Sequence, residues 1–167
     1  MILPDWKIEQ YVEEGKIEIE PFSTKQLQPH SYDLKLGADL LMRTGIVQEW
    51  KRSYLPQNIL IFCLGTTLER IKLSDNIVAQ VDGKSTLGRL GLSVHQTAGW
   101  IDAGFNGNIT LELNPVDEPV SLTEGMLIAQ IIFMETEPAR RPYGHPSRNS
   151  HYQNQKGVTP PRGLEDL

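Results

Sequence analysis

The rhythm of apolar and polar positions changes several times along this chain. Near the start, Ile8, Tyr11 and Val12 fall at i, i+3 and i+4, which predicts a short helix over 6–14. Asp5 is placed to cap it and Gly15 to end it. The period then drops to two. Positions 16–20, 32–36 and 68–73 alternate, the second stretch lying between Pro29 and Gly37. The most regular alternation is 108–114, where Ile109, Leu111 and Leu113 face one way and Thr110 and Glu112 the other. The apolar run 59–64 reads as a strand, Gly65-Thr66-Thr67 as a turn, Ser74-Asp75-Asn76 as another, and 77–81 as a further strand. Positions 127–134 are almost continuously apolar, as in a strand buried on both faces. Positions 40–58 carry no assignable pattern. Many short strands and little helix predict a mainly β protein, a barrel or a sandwich, and 167 residues suit one domain with a real core.

The end of the chain differs. From Pro138 onward lie five of the eleven prolines and four arginines, with few large aliphatics. Such a segment does not bury enough apolar area to fold alone. It is either disordered or laid over something: a ligand, or a neighbouring subunit.

Composition narrows the function. A formal net charge of −5 argues against a general DNA or RNA binder, whose phosphate affinity needs a basic surface. It leaves room for one small phosphate pocket. The single cysteine, Cys63, lies in an apolar run and reads as a buried, inert thiol. One cysteine per chain rules out an internal disulfide framework and a cysteine zinc cluster. No signal-like start and no membrane-length apolar run is present, so a cytoplasmic protein is expected.

Candidate chemistry concentrates in 83–113, and familiar motifs do not account for it. A P-loop ending at Gly83-Lys84-Ser85 needs glycine at 78, which is Val78. A nucleophile elbow needs glycine at 87, which is Leu87. What remains is another anion-binding pattern. Ser85 and Thr86 offer hydroxyls, Gly88 allows close backbone approach, Arg89 can pair with phosphate oxygens, and Lys84 adds a point charge. Positions 85–89 could open a short helix facing an anion; the competing reading is a surface turn with a solvated arginine. Asp102, in a glycine-flanked turn, could orient a water or hold a sugar hydroxyl; it could equally be an ordinary turn aspartate. Glu112 stands mid-strand, where glutamate is depleted. If its face lines a pocket, desolvation raises its pKa and suits it to acid–base work; if that face is open, it is a solvated side chain. His30 is a candidate ligand or base, though a lone histidine beside a proline is more often structural.

Taken together, these residues resemble the dCTP deaminase family, which shares its fold with trimeric dUTPases. Ser31-Tyr32-Asp33 through Gly37 resembles the family's SYD-x-x-LG element. Gly83-Lys84-Ser85-Thr86-Leu87-Gly88-Arg89 resembles its phosphate motif, with Thr86 in place of serine. Thr110-Leu111-Glu112 matches the motif of the catalytic glutamate, and Tyr152-Gln153-Asn154-Gln155 resembles the tail motif.

The resemblance implies a distorted dUTPase-like β-barrel over 1–137, with a short N-terminal helix and a tail, 138–167, closing over the active site. It implies a homotrimer with active sites shared between subunits, no zinc, and magnesium carried by the triphosphate. Substrates would be dCTP and dUTP, with dTTP a candidate inhibitor and neither nucleic acid nor membrane a partner. Glu112 would activate the water that attacks cytosine C4, with Ala98 and Ser85 positioning it. Lys84, Ser85, Thr86, Leu87, Gly88, Arg89, Thr110, Leu111, Gln130, Tyr143 and Gln155 would complete the nucleotide site, Gln155 reading the base. His151 stands where the family often has a lysine, which weakens a phosphate contact there and makes it pH-dependent. Gly99 and Trp100, followed by Ile101 and Asp102, resemble bifunctional members that go on to dUMP and diphosphate, with Asp102 serving that second step. Alternatives are a deaminase stopping at dUTP, a dUTPase, and a non-catalytic nucleotide-binding regulator.

Overall fold

The computed structural model describes residues 1–44 and 49–166. It opens with helix α1 (Asp5–Glu13), which buries Ile8 and Tyr11 on one side. Pro4, not Asp5, stands at the N-cap; Asp5 is the first helical residue, and its Oδ1 accepts from the N–H of Trp6 at 2.8 Å. Gly15 ends the helix with φ of 71°, a conformation that costs glycine little.

The strands follow in chain order: β1 (Ile17–Glu20), β2 (Leu27–Gln28), β3 (Ser31–Lys35), β4 (Asp39–Thr44), β5 (Glu49–Tyr54), β6 (Gln57–Ile59), β7 (Cys63–Leu73) and β8 (Ile77–Gly83). A five-residue helix α2 (Ser85–Arg89) comes next, then β9 (Leu92–Ser93), β10 (Trp100–Ile101), β11 (Asn106–Pro115), β12 (Val120–Leu122) and β13 (Leu127–Glu135). One sheet runs β5-β4-β7-β11-β9, with β1 added to β7; a second runs β10-β8-β13-β3-β2; β12 and β6 form a ribbon. A bridge between Leu36 and Thr67 links the two sheets. The core fills the space between them, with Ile71, Leu111 and Leu113 from one side and Ile77, Val81, Ile131 and Phe133 from the other. The result is the expected mainly β architecture.

Several local expectations need correction. The stretch 40–58 holds the paired strands β4 and β5, with 45–48 outside the described residues. Its pattern is unreadable because β4 buries the consecutive residues Leu40 and Leu41 and β5 is largely exposed, so neither strand shows alternation. The run 59–64 is not one strand: Ile59 ends β6, Leu60 and Ile61 are 66% and 56% exposed, and Cys63 begins β7. Gly65-Thr66-Thr67 is not a turn but the interior of the eleven-residue β7. Gly65 is needed there for close packing, since a Cβ would lie 2.8 Å from Leu113 Cδ1 and 3.3 Å from Leu36 Cδ1. In β3 alternation breaks down, because Asp33 is buried along with Tyr32 and Leu34. In β13, burial alternates from Ala129 onward instead of covering both faces. Cys63 is fully buried, and burial pushes its thiol pKa up to about 12, which leaves it inert as expected.

The close packing around Gly65 can be tested. Gly65→Ala should lower stability by about 1–3 kcal/mol through overpacking against Leu113, Leu36 and Leu40. Thermal or urea unfolding would read this as a fall in midpoint with the far-UV signature of the folded protein retained.

Candidate active site

The alternation read in 108–114 places the central side chain. Residues along β11 alternate between half-buried and buried, with Ile109, Leu111 and Leu113 in the core and Thr110 and Glu112 on the other face. That face lines a cavity of about 370 Å³ shared by Glu112, Thr110, Asp102, Ala98, Trp100, His95, Tyr143, Tyr152 and Gln155, among others. The volume suits a small organic ligand.

The loop from Val94 to Ala98 is held against β11 by Glu112 itself. The Glu112 N–H donates to the Val94 carbonyl at 2.9 Å, and Glu112 Oε2 accepts from the Gln96 N–H at 2.6 Å. A backbone donor therefore aims the carboxylate. His95, between them, has its Nδ1 buried with no hydrogen-bond partner among the described residues. The Val81 N–H donates to the Gly99 carbonyl at 2.7 Å. A Cβ on Gly99 would meet the Val81 carbonyl at 2.8 Å and His95 Nε2 at 3.2 Å, so any other residue would have to shift the backbone here. Strand β10 then pairs Trp100 with Gln80 and Ile101 with Ala79, and Asp102 emerges at its end, exposed at the cavity.

The tail forms the far wall. The Tyr143 N–H donates to the Ala103 carbonyl at 2.7 Å, and its ring packs 6.0 Å from that of Phe105. Burial raises the Tyr143 phenol pKa, partly offset by the Tyr152 N–H that donates to its oxygen at 2.9 Å. Gln155 runs parallel to Gly107, and the Asn108 N–H donates to the Gln155 carbonyl at 3.1 Å. Gln153 reaches back with both amide atoms: its Oε1 accepts from the Asn106 N–H at 3.0 Å and its Nε2 donates to the Gly104 carbonyl at 2.9 Å. Gln155 Nε2 donates to the Asn108 carbonyl at 2.6 Å, while its buried Oε1 has no partner among the described residues. An unmet acceptor in a cavity wall is costly unless something donates to it.

The structure thus brings Glu112, Asp102, Ala98, Trp100, Thr110, Tyr143 and Gln155 to one cavity, with Gly99 shaping the loop beside it. Leu111 is 1% exposed on the opposite face. The positions expected to hold phosphate do not line this cavity. Ser85, Thr86, Gly88 and Arg89 are exposed on α2, while Leu87 anchors that helix in the core. Lys84 donates to Asp33, and Gln130 Nε2 to the Gly83 carbonyl at 3.0 Å. His151 also lies outside the cavity lining; its carbonyl accepts from Arg162 at 3.1 Å. His30 is exposed. Sequence reasoning missed His95 and Tyr152 as cavity residues; the signal for His95 was a histidine within the polar stretch that leads to Glu112. Among the described residues, no cluster of three or more His, Cys, Asp or Glu side chains could hold a metal ion. Nor does a helix among them have the length and apolarity to cross a membrane.

Comparison with known proteins now has a geometry to meet. A family model described as dCTP deaminase-like matches residues 2–136. A protein of Dictyoglomus thermophilum named "dCTP deaminase, dUMP-forming" is 44% identical over 186 residues, covering 97% of this chain and 94% of its own. One of the same name from Methanosphaera stadtmanae is 41% identical over 190 residues, covering 99% of this chain and 95% of its own. Among solved structures, the 2′-deoxycytidine 5′-triphosphate deaminase of Agrobacterium tumefaciens superposes with a TM-score of 0.66 at 24% identity, over 79% of this chain and 47% of that one. That likeness bears on the fold.

The docking of the tail depends on the turn after Asp102. Gly104 has φ of 87°, and a Cβ there would lie 2.7 Å from both the Tyr143 carbonyl oxygen and Pro142 Cβ. Gly104→Ala should weaken tail docking by about 1–3 kcal/mol. Trypsin should then cut after Arg140 or Arg148 several-fold faster than in the wild type, read by mass spectrometry of short digests.

Proposed function

The chain belongs to the dCTP deaminase-like family, and from that premise we propose that it deaminates dCTP and carries the product on to dUMP and diphosphate. The observation that supports this best is Glu112: a carboxylate on a rigid central strand, aimed by the Gln96 N–H into a cavity it shares with Asp102 and Gln155. Such a group can take a proton from a water at one end of a nucleotide while the rest of the site holds the other.

In this reading Glu112 removes a proton from water, and the hydroxide adds to C4 of cytosine. The proton passes by way of Glu112 to the ring nitrogen N3, and a second transfer lets the 4-amino group leave as ammonia, giving dUTP. The Ala98 backbone and the Ser85 hydroxyl of a neighbouring subunit position the attacking water. Asp102 then activates a second water that attacks phosphorus, releasing diphosphate and leaving dUMP, a precursor for thymidylate synthesis. The Gly99-Trp100 sequence, which resembles that of bifunctional members, and the dUMP-forming relatives support this second step. Thr110 and Tyr143 flank the nucleoside, and the unpaired Gln155 Oε1 accepts from its base edge. Magnesium enters with the triphosphate as part of the substrate, since hard cations favour phosphate oxygens.

Residues 85–89 and Gln130 bind phosphate. Because they lie outside the Glu112 cavity of one chain, we read the working unit as a homotrimer in which one subunit's 85–89 completes its neighbour's cavity. The tail, 138–167, closes over the nucleotide, and dTTP is a candidate competitor. The expected compartment is the cytoplasm.

Incubation with dCTP and magnesium, followed by separation of nucleotides, tests the proposal. Ammonia, diphosphate and dUMP should form together without a dUTP pool; a persistent dUTP pool would sink the second step. Glu112→Gln should lower the rate of ammonia release by about 10²–10⁴-fold. Asp102→Asn should leave deamination largely in place and let dUTP accumulate.

A further inference from the structure

Lys84 leads into the phosphate motif, yet its ammonium is already engaged. Nζ donates to Asp33 Oδ1 at 2.5 Å, in a pair whose side chains are 24% and 3% exposed. The other carboxylate oxygen, Oδ2, accepts from Gln28 Nε2 at 3.1 Å. Asp33 sits within β3, paired in register with Gln130 of β13. A carboxylate this deeply buried is tolerated only with a compensating partner, and removing that partner leaves an uncompensated charge.

The main chain beside Lys84 is held by the same two strands. Gln130 Nε2 donates to the Gly83 carbonyl at 3.0 Å, and Ser31 Oγ donates to Gln130 Oε1 at 3.2 Å. Lys84 is also the N-cap of α2 and makes no capping bond with its side chain, which is turned back toward the sheet. The two residues that lead into α2 are thus fastened to β3 and β13, one by its carbonyl and one by its ammonium. Ser85, Thr86 and Arg89 remain exposed just beyond.

We propose that Lys84 acts as a tie to Asp33 and not as a ligand of the anion, and that Asp33 is a positioning residue for the phosphate-binding turn 85–89. This rests on the reading of 85–89 as the triphosphate site. A lysine that swung away to phosphate would abandon a buried carboxylate, whereas one that keeps Asp33 as its partner fixes where Ser85, Thr86 and Arg89 stand.

The test compares wild type, Asp33→Asn, Lys84→Met and the double variant. Calorimetry reads binding of inorganic tripolyphosphate at several salt concentrations, and steady-state kinetics read dCTP turnover with magnesium. Each single variant should weaken tripolyphosphate binding and raise the KM for dCTP by about tenfold, with kcat falling no more than about threefold. The double variant should be no worse than the poorer single, the sign of one shared interaction. The salt dependence of Lys84→Met should match that of wild type, because no phosphate contact has been removed. The proposal is overturned if Lys84→Met weakens binding and flattens its salt dependence while Asp33→Asn leaves binding unchanged or tightens it. Should a variant fail to fold, the Lys84 ammonium resonance of the wild type decides: tripolyphosphate leaves it unmoved if Lys84 is a tie and shifts it if Lys84 is a ligand. A wild type that binds tripolyphosphate but releases no ammonia from dCTP defeats the proposed activity and leaves the tie standing. A wild type with no affinity for tripolyphosphate overturns the positioning role.

Discussion

The register of β11 against β7 governs the rest of the molecule. Three buried residues on one face of β11, Ile109, Leu111 and Leu113, pin Thr110 and Glu112 to the other. A slip of one residue would exchange the faces, burying the glutamate and exposing the leucines. The ladder is not uniform. Between the pairs Asn108–Arg70 and Thr110–Thr66, four steps of β7 pass for two of β11. Side chains satisfy the backbone that this bulge leaves over: the Ile109 N–H donates to Thr67 Oγ1 at 2.9 Å, and Asn108 Nδ2 lies 3.2 Å from the Thr67 carbonyl. The bulge also accommodates Glu69, fully buried, whose carboxylate accepts from Gln26 Nε2 at 2.8 Å and from the Lys35 N–H at 2.9 Å. Bulges re-aim strands. Here one lies between the part of β11 that receives the tail and the part that carries Glu112.

How much of this was legible depended on where the partner of each residue lies. The alternation over 108–114 was readable because one face is buried and the other is not, and a period of two records that directly. Helix α1 was readable from its own residues apart from its cap, while 85–89 read equally as a short helix or a surface turn until the fold decided for helix α2. Gly65-Thr66-Thr67 was not, because the space that demands glycine is created by Leu113, Leu36 and Leu40, all distant in sequence. Local chemistry said turn, and tertiary packing decided otherwise. Strands β4 and β5 were invisible for another reason: β4 buries the consecutive Leu40 and Leu41 and β5 faces solvent, so neither shows alternation.

The site shows the same division. Glu112 and Asp102 stood out as polar residues in apolar or glycine-rich settings, and both reach the cavity. His95 did not stand out, because only folding makes its Nδ1 a buried, unmatched atom. The tail was the least legible segment. Many of its partners are main-chain groups of β11 and of the turn before it, reached by Gln153, Asn154 and Gln155. Backbone groups leave no mark in the composition of either segment, so a stretch poor in apolar residues can still be ordered along a strand.

The crowding at Gly99 carries a consequence for descent. A side chain at this position would collide with the carbonyl of Val81 in a neighbouring strand and with the ring of His95 in the same loop. No single substitution at 99 is therefore local. A lineage that acquires one must shift the backbone at the Val81 carbonyl, disturbing the Val81–Gly99 hydrogen bond, and ease the ring of His95 aside slightly. Positions 81, 95 and 99 are in this sense one inherited unit, and related proteins with a larger residue at 99 are expected to differ as a block around it.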